Sequence, residues 1–577
     1  MRGSLSARLA DGTDTCALTF AGQGWAWWED LSTVLDQRED LLAAGTRWAA
    51  VVSELLARPE FRDRGLVPVV FDPIGWARGD RELPDPGLLT SPALSFVGCL
   101  YSQFLTYRAL WLDGFAPAVE AGAIAGAAGH SAGILAATAI AEQPDGVPDE
   151  ARIAQHLHLA LLIGFGVAEH PAAVGPAALA AAWRGDTDAP VPMVAVSGLR
   201  LDRLRQVLAD HAPTLGVALE HGPHRAVVSG PPADVARARR HLEAAMVDGS
   251  GKSVRLGWEP LAVGAPGHHP MLDDVAHQIA DRAAAAGIVL DAGAFSFPIL
   301  SSADQQPFSG DCTYDVIATI LSRTTHWADT VRALGDRAPW ILDTGPSTGV
   351  ARLGAAAMRG TSSRVIAVGE QAGRRQLFAS GAYPAAPVSY RRFAPSVVRL
   401  PDGSTRLENR FTRATGRSPM ILPGMTPTTV DAGIVAAAAN GGFMAELAGG
   451  GQVNERIFDL RMEELGELLD PGQEVVFNTL FLDPYLWGMH LGRDRLVQGA
   501  RRRGAPLCGV TVSAGIPEVD DAVALLDELA SLGMWLNAFK PGTVDQIKKV
   551  VAIAKAAPDH KVYAHVEGGT AGGHHSW

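Results

Sequence analysis

Five consecutive residues, Gly129-His130-Ser131-Ala132-Gly133, constrain the fold of this chain more than any other feature. Glycines two residues before and two residues after Ser131 allow the backbone to turn sharply and leave the hydroxyl projecting. The residues that follow, 132–141, are strong helix formers, so a helix N-terminus would direct free N–H groups at a developing oxyanion. The pattern G-x-S-x-G therefore predicts a nucleophile elbow between a strand and a helix. A glycine turn that carries a surface serine is the alternative.

Two distant segments supply the other groups that a serine nucleophile needs. Gln23 lies in a tight Gly-Gln-Gly turn directly after the apolar run 16–20, where a backbone N–H could face an oxyanion. His268 stands ahead of a predicted helix at 270–287, and imidazole has the pKa range of a general base for serine. The three segments together predict one catalytic site in the N-terminal two thirds of the chain.

Composition excludes several classes of function. Hydrophobic residues make up 47% of the 577 residues, and the net charge of -13 argues against nucleic acid or an anionic membrane as partner. The four cysteines are scattered without a disulfide or zinc spacing, and we expect no metal site. The apolar run 159–168 is shorter than the roughly 20 residues of a membrane span. A cytoplasmic location is expected.

Changes in pattern along the chain predict an α/β fold with several domains. Residues 1–370 form the predicted catalytic domain, interrupted at 192–257 by a small α+β subdomain of two strands and two helices. Residues 371–417, with arginine clusters among Pro, Ser and Gly, predict a linker. Beyond it, helices alternate with six apolar strands, predicted at 419–422, 443–447, 474–478, 508–512, 536–539 and 561–566. A TIM-type barrel has eight strand–helix units, and six of these are predicted here, so a partial barrel is expected over 418–577.

The segments FAGQG, GHSAG and GAPGHHPML resemble the motifs of the malonyl/acetyl transacylase family. The resemblance implies an α/β-hydrolase-like fold with a ferredoxin-like insertion, Ser131 as nucleophile and His268 as base. It places the oxyanion hole at the backbone amides of Gln23 and Ala132, and it implies that a backbone carbonyl orients the histidine. His269 stands where the family has a small residue, so it is the adjacent alternative for the base.

Malonyl-selective members of that family carry an arginine at a position that matches Ile163. An apolar residue would leave a malonyl carboxylate buried without a partner, which is costly. The resemblance therefore implies an acetyl or other uncharged acyl substrate, with Ile163 and His130 in contact with it. Simple core packing is the alternative role of Ile163.

Residues 418–451 and several later segments resemble the flavin-dependent enoyl reductase barrel of type I fatty acid synthases. The resemblance implies FMN and NADPH as cofactors of the complete reductase domain and His574, or its neighbour His575, as the catalytic histidine. The residues expected to bind cofactor are Gly424, Met425, Gly449, Gly450, Asn478, Lys540, Gly572 and Gly573. Phosphate sites of such barrels usually lie after strands 7 and 8, which this sequence does not show, so FMN binding by these six steps alone stays open.

A transacylase followed by an enoyl reductase resembles the N-terminal part of a bacterial or fungal type I fatty acid synthase. The resemblance implies acyl transfer from acetyl-CoA to the phosphopantetheine of acyl carrier protein. The remaining synthase domains are expected as partners, with a homo-oligomer in the full-length protein and no nucleic acid or membrane. A serine esterase or thioesterase, and a largely structural fragment of a multienzyme complex, are the alternatives.

Overall fold

The structure is a computed structural model that describes residues 3–35, 38–143, 150–246, 256–381, 393–400 and 403–567. The chain divides into two compact units, Met1–Arg392 and Phe393–Trp577. The predicted fold class is confirmed: a mixed α/β unit with a ferredoxin-like insertion is followed by a curved parallel half-barrel.

The first unit contains eight strands and eighteen helices in its described part. The strands are β1 (Cys16–Phe20), β2 (Ile124–Gly129), β3 (Met193–Ser197), β4 (Gly216–Gly222), β5 (Arg225–Ser229), β6 (Gly257–Pro260), β7 (Trp340–Asp343) and β8 (Arg364–Ala367). The helices are α1 (Leu5–Ala10), α2 (Glu29–Leu35), α3 (Glu39–Leu56), α4 (Pro59–Arg62), α5 (Pro73–Arg78), α6 (Pro86–Leu89), α7 (Pro92–Leu110), α8 (Ala116–Glu120), α9 (Ile134–Glu142), α10 (Glu150–Ala168), α11 (Pro176–Trp183), α12 (Leu201–His211), α13 (Pro232–Ala245), α14 (Asp273–Ala285), α15 (Thr313–Leu321), α16 (Trp327–Arg337), α17 (Gly349–Ala357) and α18 (Gln371–Phe378).

A four-stranded parallel sheet in the order β2-β1-β7-β8 forms the centre of the first unit. Every residue of β1 is buried, as expected for a strand that is covered on both faces. Its neighbour β2, with the sequence IAGAAG, consists mostly of small residues. A Cβ on Gly126 would lie 3.2 Å from the Pro298 carbonyl oxygen, so small residues let a neighbouring segment pack closely on this strand.

The insertion is a ferredoxin-like βαββαβ unit whose antiparallel sheet has the order β4-β5-β3-β6. The sequence predicts β3, α12, β5 and α13, but β4 and β6 complete the sheet and are missing from the prediction. Helices α12 and α13 pack on this sheet around a separate apolar cluster. The chain leaves the insertion at β6 and reaches His268 eight residues later.

Helix α10 is long and apolar enough to cross a membrane by length and composition alone. The most apolar 18-residue window of this helix has a mean hydropathy of 1.3, and 67% of that window is buried inside the protein. The helix packs against α7 and α14 in the main core cluster. These contacts are those of a core helix, and the run 159–168 is its C-terminal half.

The four cysteines, Cys16, Cys99, Cys312 and Cys508, are free and buried. Burial raises the pKa of each thiol to about 12. All four are therefore protonated at neutral pH.

The second unit contains a hairpin and a parallel sheet in its described part. The strands are β9 (Ser396–Arg399), β10 (Thr405–Glu408), β11 (Ile421–Leu422), β12 (Met444–Ala448), β13 (Val475–Leu480), β14 (Leu507–Ser513), β15 (Asn537–Phe539) and β16 (Val562–Ala564). The helices are α19 (Arg410–Thr415), α20 (Ala432–Asn440), α21 (Glu455–Leu468), α22 (Pro484–His490), α23 (Leu496–Arg502), α24 (Val519–Ser531) and α25 (Val544–Ala556). Strands β11 to β16 pair in parallel in sequence order, and a helix lies between successive strands. Each of the six predicted strands is present.

The segment 371–417 differs from the predicted linker because most of its described residues are folded. Helix α18 belongs to the first unit, while the β9–β10 hairpin and α19 belong to the second. Asn409 caps α19 through a reciprocal pair of bonds with Thr412, an arrangement that the arginine-rich composition did not suggest.

A buried carboxyl group lies at the end of β7. Asp343 accepts hydrogen bonds from Thr19 Oγ1 at 2.8 Å and from the Gly345 backbone N–H at 3.2 Å. Burial nevertheless raises the pKa of Asp343 from 3.8 to about 7, so the folded state binds this proton more tightly than the unfolded state. The stability that this group contributes is complete below pH 4 and is lost as the pH rises through 7.

We therefore predict that Asp343→Asn stabilises the first unit at pH 8 and that the gain disappears towards pH 4. A gain of about 1 kcal/mol would raise Tm by roughly 2–4 °C. Melting curves of both proteins across this pH range measure the effect, with the exposed Asp281→Asn as control. An equal Tm for the Asp343 variant and the unsubstituted protein at pH 8 would contradict the prediction.

Candidate active site

The predicted nucleophile elbow lies between β2 and α9. Ser131 begins a short 3-10 turn and has a φ of 55°, in the left-handed region that non-glycine residues rarely adopt. A Cβ on Gly129 would overlap the Ile134 backbone nitrogen, and one on Gly133 would overlap the Phe20 carbonyl oxygen. Both glycines are thus required by close backbone approach, and the surface-turn alternative does not describe this site.

His268 lies within hydrogen-bond distance of the serine. Its Nε2 is 2.8 Å from Ser131 Oγ, and its Nδ1 is 3.0 Å from the Arg323 carbonyl oxygen. A carbonyl only accepts hydrogen bonds, so Nδ1 carries the proton and Nε2 can accept the serine proton. Thr325 Oγ1 lies 3.3 Å from the same Nδ1.

His269 has a different task. Its Nδ1 accepts a hydrogen bond from the Met271 backbone N–H at 3.2 Å and so caps the short 3-10 turn Pro270–Leu272. Of the two adjacent histidines, the geometry brings His268 to Ser131.

Burial sets the protonation state of the base. It lowers the pKa of His268 from 6.5 to about 4, although the hydrogen bond to Arg323 favours the protonated ring. The imidazole is therefore neutral at neutral pH and able to accept a proton.

The turn that carries Gln23 packs directly against the elbow. A Cβ on Gly22 would lie 2.5 Å from the His130 carbonyl oxygen and 3.2 Å from the Ala132 backbone nitrogen. The Gln23 side chain donates a hydrogen bond to Ser95 Oγ on α7. The backbone N–H of Gln23 is therefore the group that could act as an oxyanion donor in the cleft beside Ser131. The predicted oxyanion donors, the amides of Gln23 and Ala132, thus belong to two chain segments in close contact.

The dyad opens into a cleft of about 720 Å³ between the central sheet and the insertion. Apolar side chains form much of its wall, among them Phe96, Val167, Met193, Leu219, Leu261 and Leu272. Ile163 is fully buried in α10 and does not line this cleft, contrary to the predicted substrate contact. The helix instead presents Val167 to the cleft, one turn further along the same face.

A pair of histidines lies beside Ser131. His130 Nε2 is 2.9 Å from His221 Nε2, and the rings stack with centroids 5.2 Å apart. Burial lowers the pKa of His221 to about 3 and that of His130 well below its usual range, so both rings are neutral. His221 comes from β4, and no sequence motif marks it.

Four arginines also line the cleft: Arg225, Arg332, Arg352 and Arg359. All four are exposed; Arg225 lies on β5, Arg332 on α16 and Arg352 on α17, and Arg359 follows α17. Arg332 pairs with Asp329, whereas the other three have no ion-pair partner in the described part of the chain. They give the cleft a positive potential in a chain whose net charge is -13.

In the second unit, a polar cluster lies at the carboxyl ends of adjacent strands. Glu446 on β12 is 3% exposed and accepts hydrogen bonds from Asn478 Nδ2 at 2.8 Å, Thr511 Oγ1 at 2.7 Å and the Gly424 N–H at 2.7 Å. Burial alone would raise the pKa of this carboxyl, but the nearby His565 ring, 3.6 Å away, and the hydrogen bonds from Thr511 and Gly424 hold the pKa below its ordinary value. The sequence indicated Gly424 and Asn478 but not the carboxylate that joins them.

The other predicted cofactor residues within the described part of the chain lie near the same carboxyl edge of the parallel sheet. Lys540 follows β15 and pairs with Glu567 at 3.0 Å, while Gly449 and Gly450 form a turn after β12. The Met425 N–H donates to Thr429 Oγ1 at 2.7 Å. The predicted residues Gly572, Gly573 and His574, with the alternative His575, lie outside the described residues.

These residues lie at the carboxyl edge of the parallel sheet, where ligand sites of (β/α) barrels are found. A Cβ on Gly424 would lie 2.5 Å from Asn478 Cβ, so this glycine serves a close contact inside the protein. Asn478 Oδ1 also accepts from Ser513 Oγ at 2.8 Å. Among the described residues, no group of three His, Cys, Asp or Glu side chains could hold a metal ion.

Comparison with known proteins now identifies relatives of the whole chain. No model of a protein family matches it. The fatty acid synthase subunit beta of Saccharomyces cerevisiae is 25% identical over 613 residues, and that of Schizosaccharomyces pombe is 27% identical over 618. These alignments cover 100% and 99% of the chain. The chain is homologous to fungal fatty acid synthase beta subunits.

This homology confirms the resemblance to type I fatty acid synthases. The chain spans 29% and 28% of the length of those two proteins. Solved structures with a similar fold include an acyl carrier protein S-malonyltransferase of Vibrio cholerae, 18% identical with a TM-score of 0.44, which covers 61% of this chain and 96% of its own. A malonyl-CoA:acyl carrier protein transacylase of Xanthomonas oryzae is 21% identical with a TM-score of 0.45 and covers 63% and 96%.

The low pKa of His268 predicts an unusual pH profile for Ser131. A base with the ordinary histidine pKa of about 6.5 would lose reactivity below that pH. Because burial lowers the pKa of His268 to about 4, acylation of Ser131 by p-nitrophenyl acetate should continue down to about pH 5 and fall only below it. Stopped-flow release of nitrophenol measures the rate.

The control is His269→Asn, which should keep the same profile. A loss of reactivity centred near pH 6.5 would contradict the assigned protonation state of His268.

Proposed function

We propose that the first unit transfers an acyl group, acetyl foremost, from a CoA thioester to the phosphopantetheine thiol of acyl carrier protein in fatty acid synthesis. The observation that carries this proposal is the 2.8 Å contact between Ser131 Oγ and His268 Nε2 inside a large cleft. The homology to fatty acid synthase beta subunits supports the acyl donor and acceptor.

The chemistry follows from the positions of the groups. His268 Nε2 takes the Ser131 proton while Oγ attacks the thioester carbonyl carbon. The backbone amides of Gln23 and Ala132 donate to the oxyanion, and its collapse breaks the C–S bond. The departing sulfur takes the proton from His268, and the carrier thiol then reverses these steps on the acyl-serine.

The cleft wall favours an uncharged acyl group. Apolar side chains, with Val167 in place of the predicted Ile163, form much of its surface. Burying an unpaired carboxylate costs several kcal/mol, so malonyl should react more slowly than acetyl. The exposed arginines are better suited to the phosphates that CoA and phosphopantetheine both carry.

Intact-mass spectrometry after incubation with acetyl-CoA or malonyl-CoA tests the proposal. We expect an acetyl adduct on the unsubstituted protein, at least tenfold slower malonyl labelling, and no adduct on Ser131→Ala. Equal acetyl labelling of both proteins would exclude Ser131, and faster malonyl labelling would exclude acetyl selectivity.

The fate of the acyl-serine distinguishes transfer from hydrolysis. A transacylase should pass the acetyl group to added pantetheine much faster than to water, whereas an esterase or thioesterase should lose it to water in either case. A purely structural role predicts no adduct at all.

The arginines provide a separate prediction. Arg352→Gln should raise KM for acetyl-CoA about threefold to tenfold, because one phosphate contact is lost, and leave the reaction with p-nitrophenyl acetate unchanged. Arg337→Gln, which removes an exposed arginine outside the cleft, is the matched control. An unchanged KM for Arg352→Gln would remove this residue from the phosphate site.

We further propose that the second unit is part of an FMN- and NADPH-dependent enoyl reductase whose remaining barrel steps complete the site. Gly424, Gly449, Gly450, Asn478 and Lys540 would hold the flavin, which supplies hydride transfer when bound. We also propose a cytoplasmic location and assembly with the other synthase domains into a homo-oligomer. Flavin absorbance of the purified chain, retained by Asp545→Asn and lost in Asn478→Ala, would support the cofactor assignment. A colourless protein that takes up no added FMN would show that these strands alone do not bind it.

A further inference from the structure

Strand β4 of the insertion is hydrogen-bonded to the segment that orients the base. The Thr325 N–H donates to the Ala218 carbonyl at 2.9 Å, and the Glu220 N–H donates to the Thr325 carbonyl at 2.8 Å. The Arg323 carbonyl that accepts from His268 Nδ1 lies two residues before Thr325. Its position therefore depends on the insertion as well as on the main body of the unit.

The side chain of Glu220 strengthens this connection. It is 12% exposed and accepts a hydrogen bond from His326 Nδ1 at 2.9 Å through one oxygen. Its other oxygen accepts from Arg205 on α12. A largely buried carboxylate with partners on both sides holds β4 against the start of α16 more firmly than an exposed pair would.

The next residue of β4, His221, reaches the nucleophile. His130 Nδ1 is buried and has no hydrogen-bond partner among the described residues. A proton there would leave a buried donor unsatisfied, so it resides on Nε2 and is donated to His221 Nε2 over 2.9 Å. His130 directly precedes Ser131, whose backbone is strained, so a bond to its ring restricts rotation of the elbow.

Adjacent residues of one strand thus hold both partners of the dyad. We propose that β4 is the positioning element of the active site, in which Glu220 holds His268 through His326 and the segment 323–326, and His221 holds Ser131 through His130. The proposal rests on the proposed function in taking Ser131 as the acylated residue. Neither Glu220 nor His221 takes part in the chemical step.

The expected effect follows from the geometry of catalysis. A displacement of about 1 Å between reacting groups can cost on the order of 100-fold in rate. Loss of one supporting hydrogen bond should shift the dyad by less than that, so we expect about a tenfold loss of Ser131 reactivity in His221→Leu and in Glu220→Ala.

The reactivity of Ser131 can be measured without CoA. An alkyl fluorophosphonate forms an O–P bond with Ser131 and releases fluoride, while the serine proton passes to His268. We propose to follow labelling by intact mass, with Tm recorded for every variant. His221→Gln keeps an acceptor at nearly the same reach and should remain within threefold of the unsubstituted protein, and so should Glu220→Gln.

The same insertion offers matched controls. His241 stacks on His211 with centroids 4.7 Å apart, and Glu243 pairs with Arg239 at 3.0 Å, both on α13 and exposed. His241→Leu and Glu243→Ala should label at the unsubstituted rate. A tenfold loss in His221→Leu and Glu220→Ala, with rescue by both glutamine variants, supports the proposal.

Three outcomes would overturn it. These are unchanged labelling in both disruptive variants, equal losses in the glutamine variants, and equal losses in the α13 controls. If the unsubstituted protein reacts with fluorophosphonate but not with acetyl-CoA, the proposed function fails while the comparison of variants still decides the role of β4.

Discussion

The candidate active site of the first unit depends on a hydrogen bond from the His268 N–H to a backbone carbonyl. The Arg323 carbonyl fixes the tautomer of His268, so the nitrogen that faces Ser131 is the one without a proton. A carboxylate at this position would raise the pKa of the imidazole strongly, whereas a carbonyl does so only weakly. The base therefore stays neutral in a buried site, and the charge separation that accompanies catalysis arises only when a substrate is present.

The insertion contributes to the position of His268 because of where it lies in the chain. It lies between the helix α11 and the segment that carries His268, and its β4 pairs with residues that follow the base. The nucleophile comes from the central parallel sheet, and a small antiparallel sheet borders the base. Much of the cleft wall, including the arginines, comes from elements other than those that carry Ser131 and His268, so substitutions there need not disturb the dyad.

The sequence predicted the elements whose local pattern is strong. The apolar run 16–20, the G-x-S-x-G turn and the six strands of the second unit carry clear signals, and the structure contains all of them. The strand β4, with the sequence GVALEHG, was missed because it has glycine at both ends and polar residues that form specific bonds rather than an alternating pattern.

The site residues that the sequence did not indicate were missed for the same reason. Glu446 and His221 act through partners that are distant in the chain, and no local spacing indicates a long-range hydrogen bond. The family resemblance placed Ile163 in contact with the substrate, but in the structure it is Val167, one turn further along α10, that borders the cavity. Tertiary contacts of single polar side chains therefore limit what one sequence can reveal.

The four buried cysteines have a consequence for chemical selectivity. The proposed transacylase would be exposed to acyl groups that any thiolate could intercept, and to disulfides of the same carriers. Because Cys16, Cys99, Cys312 and Cys508 remain protonated and enclosed, none competes with Ser131 for an electrophile. Acyl groups that reach the cleft would consequently meet an oxygen nucleophile and no thiolate of the protein itself.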